Sequence, residues 1–209
     1  MISRDYPSSF QEAMSMNKLM GFYELRGMDL PCIPWKEYHT GDTLDDHFLW
    51  SIRCAKFRGN DLDLPRLIGA EADKAIAFAN RLRHQINGMV IYYPYFIAEK
   101  SGTLCVSRDK VVIEAVHDDL WNMVKMGTQD VTIIIDEEEK NTETIGDKNL
   151  LSGAELEEIL SHVSKIRKRF RDELFTKDIL LEWSFARNCG KEKIPIGERY
   201  LVFYEIRSI

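Results

Sequence analysis

The sequence has few of the features that would assign it to a specialised class of protein. Its four cysteines, Cys32, Cys54, Cys105 and Cys189, lie far apart without a CxxC pair. This spacing argues against a zinc knot or a disulfide framework and predicts free thiols in a reducing compartment. No run approaches the roughly 18 apolar residues of a membrane span, and the first ten residues lack the apolar core of a signal peptide. We therefore expect an intracellular protein without a membrane segment.

Positive charge is also scarce. With 28 Lys and Arg against 34 Asp and Glu, the formal net charge is −6, which argues against a protein that coats nucleic acid but leaves room for a local basic stripe. Walker, GxGxxG, HExxH, GxSxG and kinase motifs are absent, so nucleotide hydrolysis, hydride transfer and serine hydrolysis have no signature here. The 209 residues, 44% of them hydrophobic and 30% charged, predict one domain of α/β or α+β type.

The stretch of residues 110–137 is predicted to form the centre of the fold. Residues 111–113 and 131–135 are β-branched runs of strand length, and Asp118 stands where a helix between them would begin. We expect two parallel strands joined by a helical crossover. Glu114 ends the first strand within an apolar run, so its carboxylate either faces water at a sheet edge or belongs to a metal or catalytic site.

Apolar periodicity predicts helices elsewhere in the chain, over residues 10–25, 44–57, 67–86, 153–174 and 179–191. Capping boxes, Ser9 with Glu12 and Ser152 with Glu155, mark the starts of the first and the fourth. Alternating or aromatic runs predict strands over residues 89–100, 103–106 and 199–209, and the acidic segment 136–149 is expected to be a loop. Residues 103–106 are expected to pair with 111–113 as a hairpin.

A dispersed set of polar residues is the remaining candidate for chemistry. Oxygen ligands and one imidazole can hold Mg²⁺ or Mn²⁺, and a lysine can position the attacking group, as a two-metal nuclease requires. The candidates are His47, Glu71, Glu99, Glu114 and Lys125. Two of them have simpler explanations, because His47 could be a hydrogen-bonded core residue and Glu71 could serve the dipole at a helix start.

A basic run follows on the helix predicted over residues 153–174. Lys165, Arg167 and Arg169 lie on its polar face and could follow an RNA phosphate backbone. The alternative is that this face is only solvated.

Four segments carry a resemblance to a known family: LIGAEADKAIAFANRLRHQ, DKVVIEAVHDDLWNMVK, NLLSGAELEEILSHVSKIRKRFRDELFTKDILLEWSF and ERYLVFYEI. In this order they resemble the N-terminal domain of an orthomyxovirus polymerase acidic subunit of the thogotovirus type, from about residue 45 onward. The resemblance implies an α/β cap-snatching endonuclease fold of the PD-(D/E)xK type, with a central mixed sheet flanked by helices. Residues 1–195 would form this endonuclease-like domain, and residues 196–209 a C-terminal strand leading to the rest of the subunit.

The resemblance also implies roles for individual residues. The metal ligands would be the side chains of His47, Glu71, Glu99 and Glu114 with the backbone carbonyl of Ala115, and the catalytic lysine would be Lys125. The family's Pro-Asp pair is absent, and Ala98-Glu99 stands in its place. Two functions follow as alternatives: a polymerase module with a degraded metal site and weak or no RNA cleavage, with or without bound metal, or an active Mn²⁺-dependent endonuclease that cleaves capped host RNA into transcription primers.

The partners implied by the resemblance are the two basic subunits of a heterotrimeric viral RNA polymerase and single-stranded or capped RNA. Viral transcription in the host cell nucleus would be the setting. The RNA contacts would come from Lys165, Arg167 and Arg169.

Overall fold

Two antiparallel sheets organise the protein in a computed structural model that describes residue 16 and residues 18–57, 64–120 and 129–209. The smaller sheet has four strands in the order β1-β4-β2-β3. Its strands are Lys36–Glu37 (β1), Trp50–Lys56 (β2), Leu67–Ala70 (β3) and Gly88–Pro94 (β4).

The larger sheet has six strands in the order β10-β9-β5-β6-β7-β8. Its strands are Phe96–Val106 (β5), Lys110–His117 (β6), Val131–Asp136 (β7), Asn141–Gly146 (β8), Ile179–Cys189 (β9) and Pro195–Ser208 (β10). The helices of the described ranges are Lys18–Gly27 (α1), Ala72–Gln85 (α2), Gly153–Leu160 (α3) and Val163–Arg169 (α4), with a 3-10 turn at Glu173–Phe175. None of these helices is long and apolar enough to cross a membrane.

The apolar core lies in three clusters that follow the layers. One face of the larger sheet packs against α3 and α4, with Trp183 and Ile166 both fully buried. Helix α2 covers the smaller sheet through small side chains such as Ala75 and Ala79, which permit close approach. The third cluster joins the two sheets, and Ile91 of β4 and Ala186 of β9 belong to it. The second face of the larger sheet is therefore turned toward the smaller sheet, and a cleft opens between them.

The central-crossover prediction is wrong. Strands β6 and β7 are antiparallel neighbours, with Glu114 opposite Thr132, so they need no crossover. Most of the helix expected between them falls on residues 121–128, outside the described ranges. The α/β class is confirmed, but the mixed central sheet is wrong because every strand pairing in the described chain is antiparallel.

Two predicted helices are strands. Residues 50–56 form β2 and residues 179–189 form β9. Residues 50–55 are all buried, because β2 lies between helix α2 and the larger sheet. A strand buried on both faces loses the alternation of apolar and polar residues, so its sequence can be mistaken for a helix. The acidic segment expected to be a loop also contains a strand, β8.

Several predictions that depended on short-range sequence signals are confirmed. The Ser152–Glu155 capping box is present, although the helix after it breaks into α3, α4 and the 3-10 turn. Helix α2 and the β5–β6 hairpin are confirmed, and β3 precedes α2 where a helix was expected. The aromatic run forms β4 and the start of β5, and the C-terminal strand is β10. Of the first predicted helix, only the part within α1 lies in the described ranges.

Candidate functional site

The cleft between the sheets has a volume of about 800 Å³. Its charged lining residues are Lys18, Arg53, Arg66, Asp119 and Glu182, and its hydroxyl groups come from Ser51, Ser184, Tyr93, Tyr95 and Tyr204. Leu64, Pro65, Ile68 and Leu120 are among its apolar lining residues. The cleft thus combines a charged floor with an apolar wall.

Strands β9 and β10 bring two carboxyl groups to this region, of which Glu182 lines the cleft and Glu205 is buried. Glu182 and Glu205 are directly paired across the two strands, and paired residues project to the same face of a sheet. A bulge between Phe203 and Glu205 adds Tyr204 without a partner in the ladder. Bulges re-aim side chains and are frequent beside active sites. Phe203 belongs to the apolar core on one face of the sheet, whereas Tyr204 lines the cleft. Glu205 forms an ion pair with Arg53.

Three cations surround the single carboxylate of Glu205. Arg53 on β2 donates from Nη2 to Oε2 at 2.7 Å. Lys18 Nζ and Arg207 Nη1 lie 3.7 and 3.8 Å from Oε1. Because the side chain of Glu205 is only 5% exposed, these interactions act at low dielectric and are strong. The three cations are thus gathered around one carboxylate, and Glu182 interacts with the same three side chains.

The second carboxyl group, Glu182, lies among charged neighbours. Burial raises its pKa, and the neighbouring charge of Glu205 raises it further, while Arg53, Arg207 and Lys18 act in the opposite direction. The net shift of the pKa is upward, as expected for a buried carboxyl group beside a second carboxylate.

Arg53 is fixed in place from two sides. Its Nη1 donates to the backbone carbonyl of Tyr204 at 3.4 Å, and its guanidinium carbon lies 6.0 Å from the centre of the Tyr204 ring. Burial lowers the pKa of Arg53, but the charges of Tyr93, Glu205 and Glu182 more than offset this, so the net pKa is raised. Arg53 therefore stays charged while its side chain is 10% exposed.

Sequence reasoning missed these residues, although a signal was present. Glu182 lies in LLEWSF, Glu205 in VFYEIR and Arg53 in WSIRCA. Each is a charge inside an apolar run, the same signal that singled out Glu114. Because residues 44–57 and 179–191 were predicted to be helices, Arg53 and Glu182 could not be placed on strands of two sheets that face each other.

The residues chosen from the sequence lie mostly elsewhere. The imidazole of His47 is 90% exposed in a turn and contacts Asp45 Oδ1 at 2.7 Å. Glu71 stands at the start of α2, with Lys74 Nζ 3.2 Å from its carboxylate. Its position agrees with the simpler explanation, a carboxylate at the positive end of a helix.

Three further candidates have partners or positions that differ from those of metal ligands. Glu99 accepts from Arg187 Nε at 2.6 Å. The Ala115 carbonyl accepts from the Asp130 amide at 3.0 Å. Glu114 does face the cleft side of the sheet, because Thr103 of β5 pairs with both Glu114 and Glu182.

The set as a whole gains no support from this geometry. No group of three or more His, Cys, Asp or Glu side chains suited to a metal occurs in the part of the chain that the structure describes. Lys125 lies outside that part. The shared metal-binding role of these residues stays a prediction.

The basic residues of α4 are engaged by acidic neighbours. Arg167 binds both oxygens of Glu137 at 2.7 and 2.8 Å, and Arg169 binds both oxygens of Glu24 at 2.6 and 2.7 Å. Lys165 Nζ donates to the Asp29 carbonyl at 3.0 Å. This face is therefore locally neutralised, and its contact with RNA stays a prediction.

Comparison with known proteins gives similarity in structure alone. Neither a family model nor a curated protein matches the sequence. The fold is similar to D-alanine-D-alanine ligase from Helicobacter pylori, with a TM-score of 0.49, 14% identity, and coverage of 91% of this chain and 53% of that one. For the D-alanine-D-alanine ligase from Bacillus anthracis the TM-score is 0.48 and the identity 12%, with coverage of 92% of this chain and 56% of the ligase. For N5-carboxyaminoimidazole synthetase from Staphylococcus aureus, complexed with ADP, the TM-score is 0.46 and the identity 11%, with coverage of 88% of this chain and 41% of the synthetase.

These findings correct the family resemblance drawn from the sequence. The solved structures named here are two ligases and a synthetase, and this chain spans about half the length of the two ligases. The assignment to an orthomyxovirus polymerase subunit is wrong, and so are both of its functional alternatives, the degraded and the active cap-snatching endonuclease. The basic polymerase subunits, capped RNA and the host nucleus were implied by that assignment and lose their basis with it.

Proposed function

We propose that the cleft binds a nucleotide polyphosphate together with a divalent cation, as the phosphoryl-donor site of a transfer reaction. The observation that carries this proposal is the clustering of Lys18, Arg53 and Arg207 around the one carboxylate of Glu205. A cluster of cationic side chains beside an open cleft favours an anionic ligand.

The cationic side chains suit phosphate in their geometry as well as their charge. A guanidinium presents several N–H donors in a rigid fork that matches phosphate oxygens. Arg53 is held by Glu205 and by the Tyr204 carbonyl, so little conformational entropy is lost when it binds. Arg66 is exposed and lines the cleft, where it can contact the outer phosphates.

The paired carboxylates fit a divalent cation. Mg²⁺ is usually held by one or two carboxylates together with substrate phosphates and water, and Glu182 and Glu205 are direct neighbours across β9 and β10. Glu182, which lines the cleft, would hold the ion. When bound, it would supply neutralisation of the negative charge that builds up on the phosphate oxygens during transfer.

The remainder of the cleft suits the organic part of a nucleotide. Leu64, Pro65 and Ile68 line it on one side, and apolar walls with a few polar groups are typical of small-molecule sites of about 300–1,000 Å³. The lack of a glycine-rich phosphate loop in the sequence does not exclude a nucleotide here. Side chains on α1, on β2, on β10 and in the segment before β3 would make the phosphate contacts that a Walker loop makes with backbone amides.

The proposal is tested by calorimetric titration of the full chain with ATP, in the presence and absence of Mg²⁺. We expect Mg²⁺-dependent binding and a rise in melting temperature, because a ligand that binds only the folded state stabilises it by about 2.7 kcal/mol at one hundred times Kd. Arg53→Met should weaken binding by about a hundredfold, which corresponds to a charge-assisted contact of about 3 kcal/mol.

Arg169→Met is the control, because Arg169 also forms an ion pair with a glutamate, Glu24, but does not line the cleft. This control should bind ATP like the wild type. Equal losses in the two variants, or a wild-type chain that binds no ATP with Mg²⁺, would refute the proposed function.

A further inference from the structure

Two buried serines form a contact on the cleft side of the larger sheet. Ser101 of β5 pairs with Ser184 of β9, their residues are 0% and 2% exposed, and their Oγ atoms lie 2.8 Å apart. Ser184 itself lines the cleft. Burying two hydroxyl groups costs free energy unless each finds a hydrogen-bond partner. The hydrogen bonds of this pair therefore show which part of the chain it holds in place.

The proton positions of the pair follow from its outer partner. Ser101 Oγ donates to the backbone carbonyl of Asp118 at 2.6 Å. A hydroxyl has a single proton to donate, so the contact between the serines must be donated by Ser184. A directed chain results, from Ser184 through Ser101 to the backbone carbonyl of Asp118.

That turn needs to be held. Asp118 has a φ of +59°, in the left-handed region that is unfavourable for side chains other than glycine. Strand β5 anchors it at two points, since the Asp118 amide donates to the Glu99 carbonyl at 2.9 Å and the carbonyl accepts from Ser101. The next two residues, Asp119 and Leu120, line the cleft. The serine pair therefore sets the position of this part of the cleft wall.

We propose that Ser101 and Ser184 are positioning residues that hold Asp119 where it accepts hydrogen bonds from the sugar hydroxyls of the bound nucleotide. This inference rests on the proposed function and adds that Asp119 recognises the sugar of the nucleotide. Asp119 is exposed to the cleft and carries the opposite charge to Arg53 and Lys18. An anionic wall repels phosphate but accepts hydrogen bonds from hydroxyls, so the phosphates and the sugar are directed to different sides.

Titration with two ligands separates this role from a merely structural one. ATP has both phosphates and a sugar, whereas inorganic pyrophosphate has only the phosphate part. With Mg²⁺ present, Ser101→Ala and Asp119→Asn should each weaken ATP binding about tenfold, as expected for loss of hydrogen bonds worth about 1.4 kcal/mol. Both variants should bind pyrophosphate within twofold of the wild type.

Thr132→Val is the control for loss of a buried hydroxyl. Thr132 lies two strands from Ser101 in the same sheet, is 9% exposed and accepts from Gln129 Nε2 at 3.0 Å. It should leave the binding of both ligands unchanged. The double variant Ser101→Ala with Asp119→Asn should bind ATP no more weakly than Asp119→Asn alone, because residues that act through one another are not additive.

Several results would overturn the inference. One is wild-type ATP binding by Ser101→Ala, and another is an equal loss of ATP and pyrophosphate affinity. Additive losses in the double variant would also refute it. Ser184→Ala, which breaks the chain at another point, must give the same pattern, and serves alone if Ser101→Ala fails to fold. Any of these results, together with ATP binding by the wild type, refutes this inference alone, whereas a wild-type chain that binds no ATP with Mg²⁺ refutes the proposed function as well.

Discussion

Arg53 and Glu205 lie 152 positions apart in the sequence, yet Arg53 Nη2 donates to Glu205 Oε2 at 2.7 Å. The contact connects β2 of the smaller sheet to β10 of the larger one. Both side chains are nearly buried, at 10% and 5% exposure. This ion pair joins the two sheets at the floor of the cleft, and we expect it to affect stability as well as ligand binding.

Replacing Arg53 alone should destabilise the chain. Arg53→Met leaves Glu205 buried with weaker compensation, which typically costs about 3–5 kcal/mol. The double variant Arg53→Met with Glu205→Met should recover most of this loss, because apolar side chains of similar volume replace a buried pair at little cost. Urea denaturation measures each free energy of unfolding. A double variant as unstable as Arg53→Met would contradict the account.

Glu182 is expected to provide the dependence on divalent cations. Glu182→Gln keeps the side-chain shape but removes an anionic ligand, so Mg²⁺ should no longer increase ATP affinity, while ATP binding without metal should be unchanged or tighter. Calorimetric titrations with and without Mg²⁺ measure the two affinities.

Glu114→Gln is the matched control for that variant. Glu114 lies in the same row of the sheet as Glu182, two strands away, and should leave the Mg²⁺ dependence intact. If instead Glu114→Gln removed it and Glu182→Gln did not, the cation site would be misassigned.

Glu155 should make stability depend on pH in the acid range. Burial alone would raise the pKa of Glu155, but the Lys100 ammonium and the hydrogen bonds from Ser152 lower it from 4.5 to about 2. Because the folded-state pKa is the lower one, the stabilisation is fully present above pH 4.5 and is lost as the pH falls toward 2. After allowance for solvent screening, we expect about 2 kcal/mol.

Thermal melts between pH 2 and pH 6 measure this contribution. Glu155→Gln should lower the stability at pH 6 and flatten its acid dependence, whereas Glu157→Gln, an exposed change on the same helix, should do neither. An unaltered slope in Glu155→Gln would rule out this explanation.

Gly102 should not tolerate a side chain. A Cβ at this position would overlap the Glu114 carbonyl and contact Trp183 Cζ2 at 2.6 Å, and neither the strand backbone nor a fully buried ring can move away easily. Gly102→Ala should cost about 1–3 kcal/mol or more. Gly153→Ala is the control, because a Cβ there meets nothing within 4 Å. Comparable melting temperatures for the two variants would show that the sheet adapts.

Short-range interactions explain why some elements could be predicted. The Ser152–Glu155 capping box is formed between residues three apart, and α2 shows its apolar stripe within 14 residues. The β5–β6 hairpin closes through a short turn, with Val106 opposite Val111. Each signal is complete within one segment, so no knowledge of the rest of the chain is needed to interpret it.

The sequence by itself determined the α/β class, the α2 helix, the helix start at Ser152 and the hairpin, because local hydrogen bonds and periodicity specify them. Only the tertiary structure decided that residues 50–56 and 179–189 are strands, since residues 50–55 of the one and 183–186 of the other are all buried, which removes the alternation that identifies a strand. It also decided the site. Arg53, Glu182 and Glu205 lie on three strands from distant parts of the chain, and their charges acquire a shared role only when the two sheets face each other.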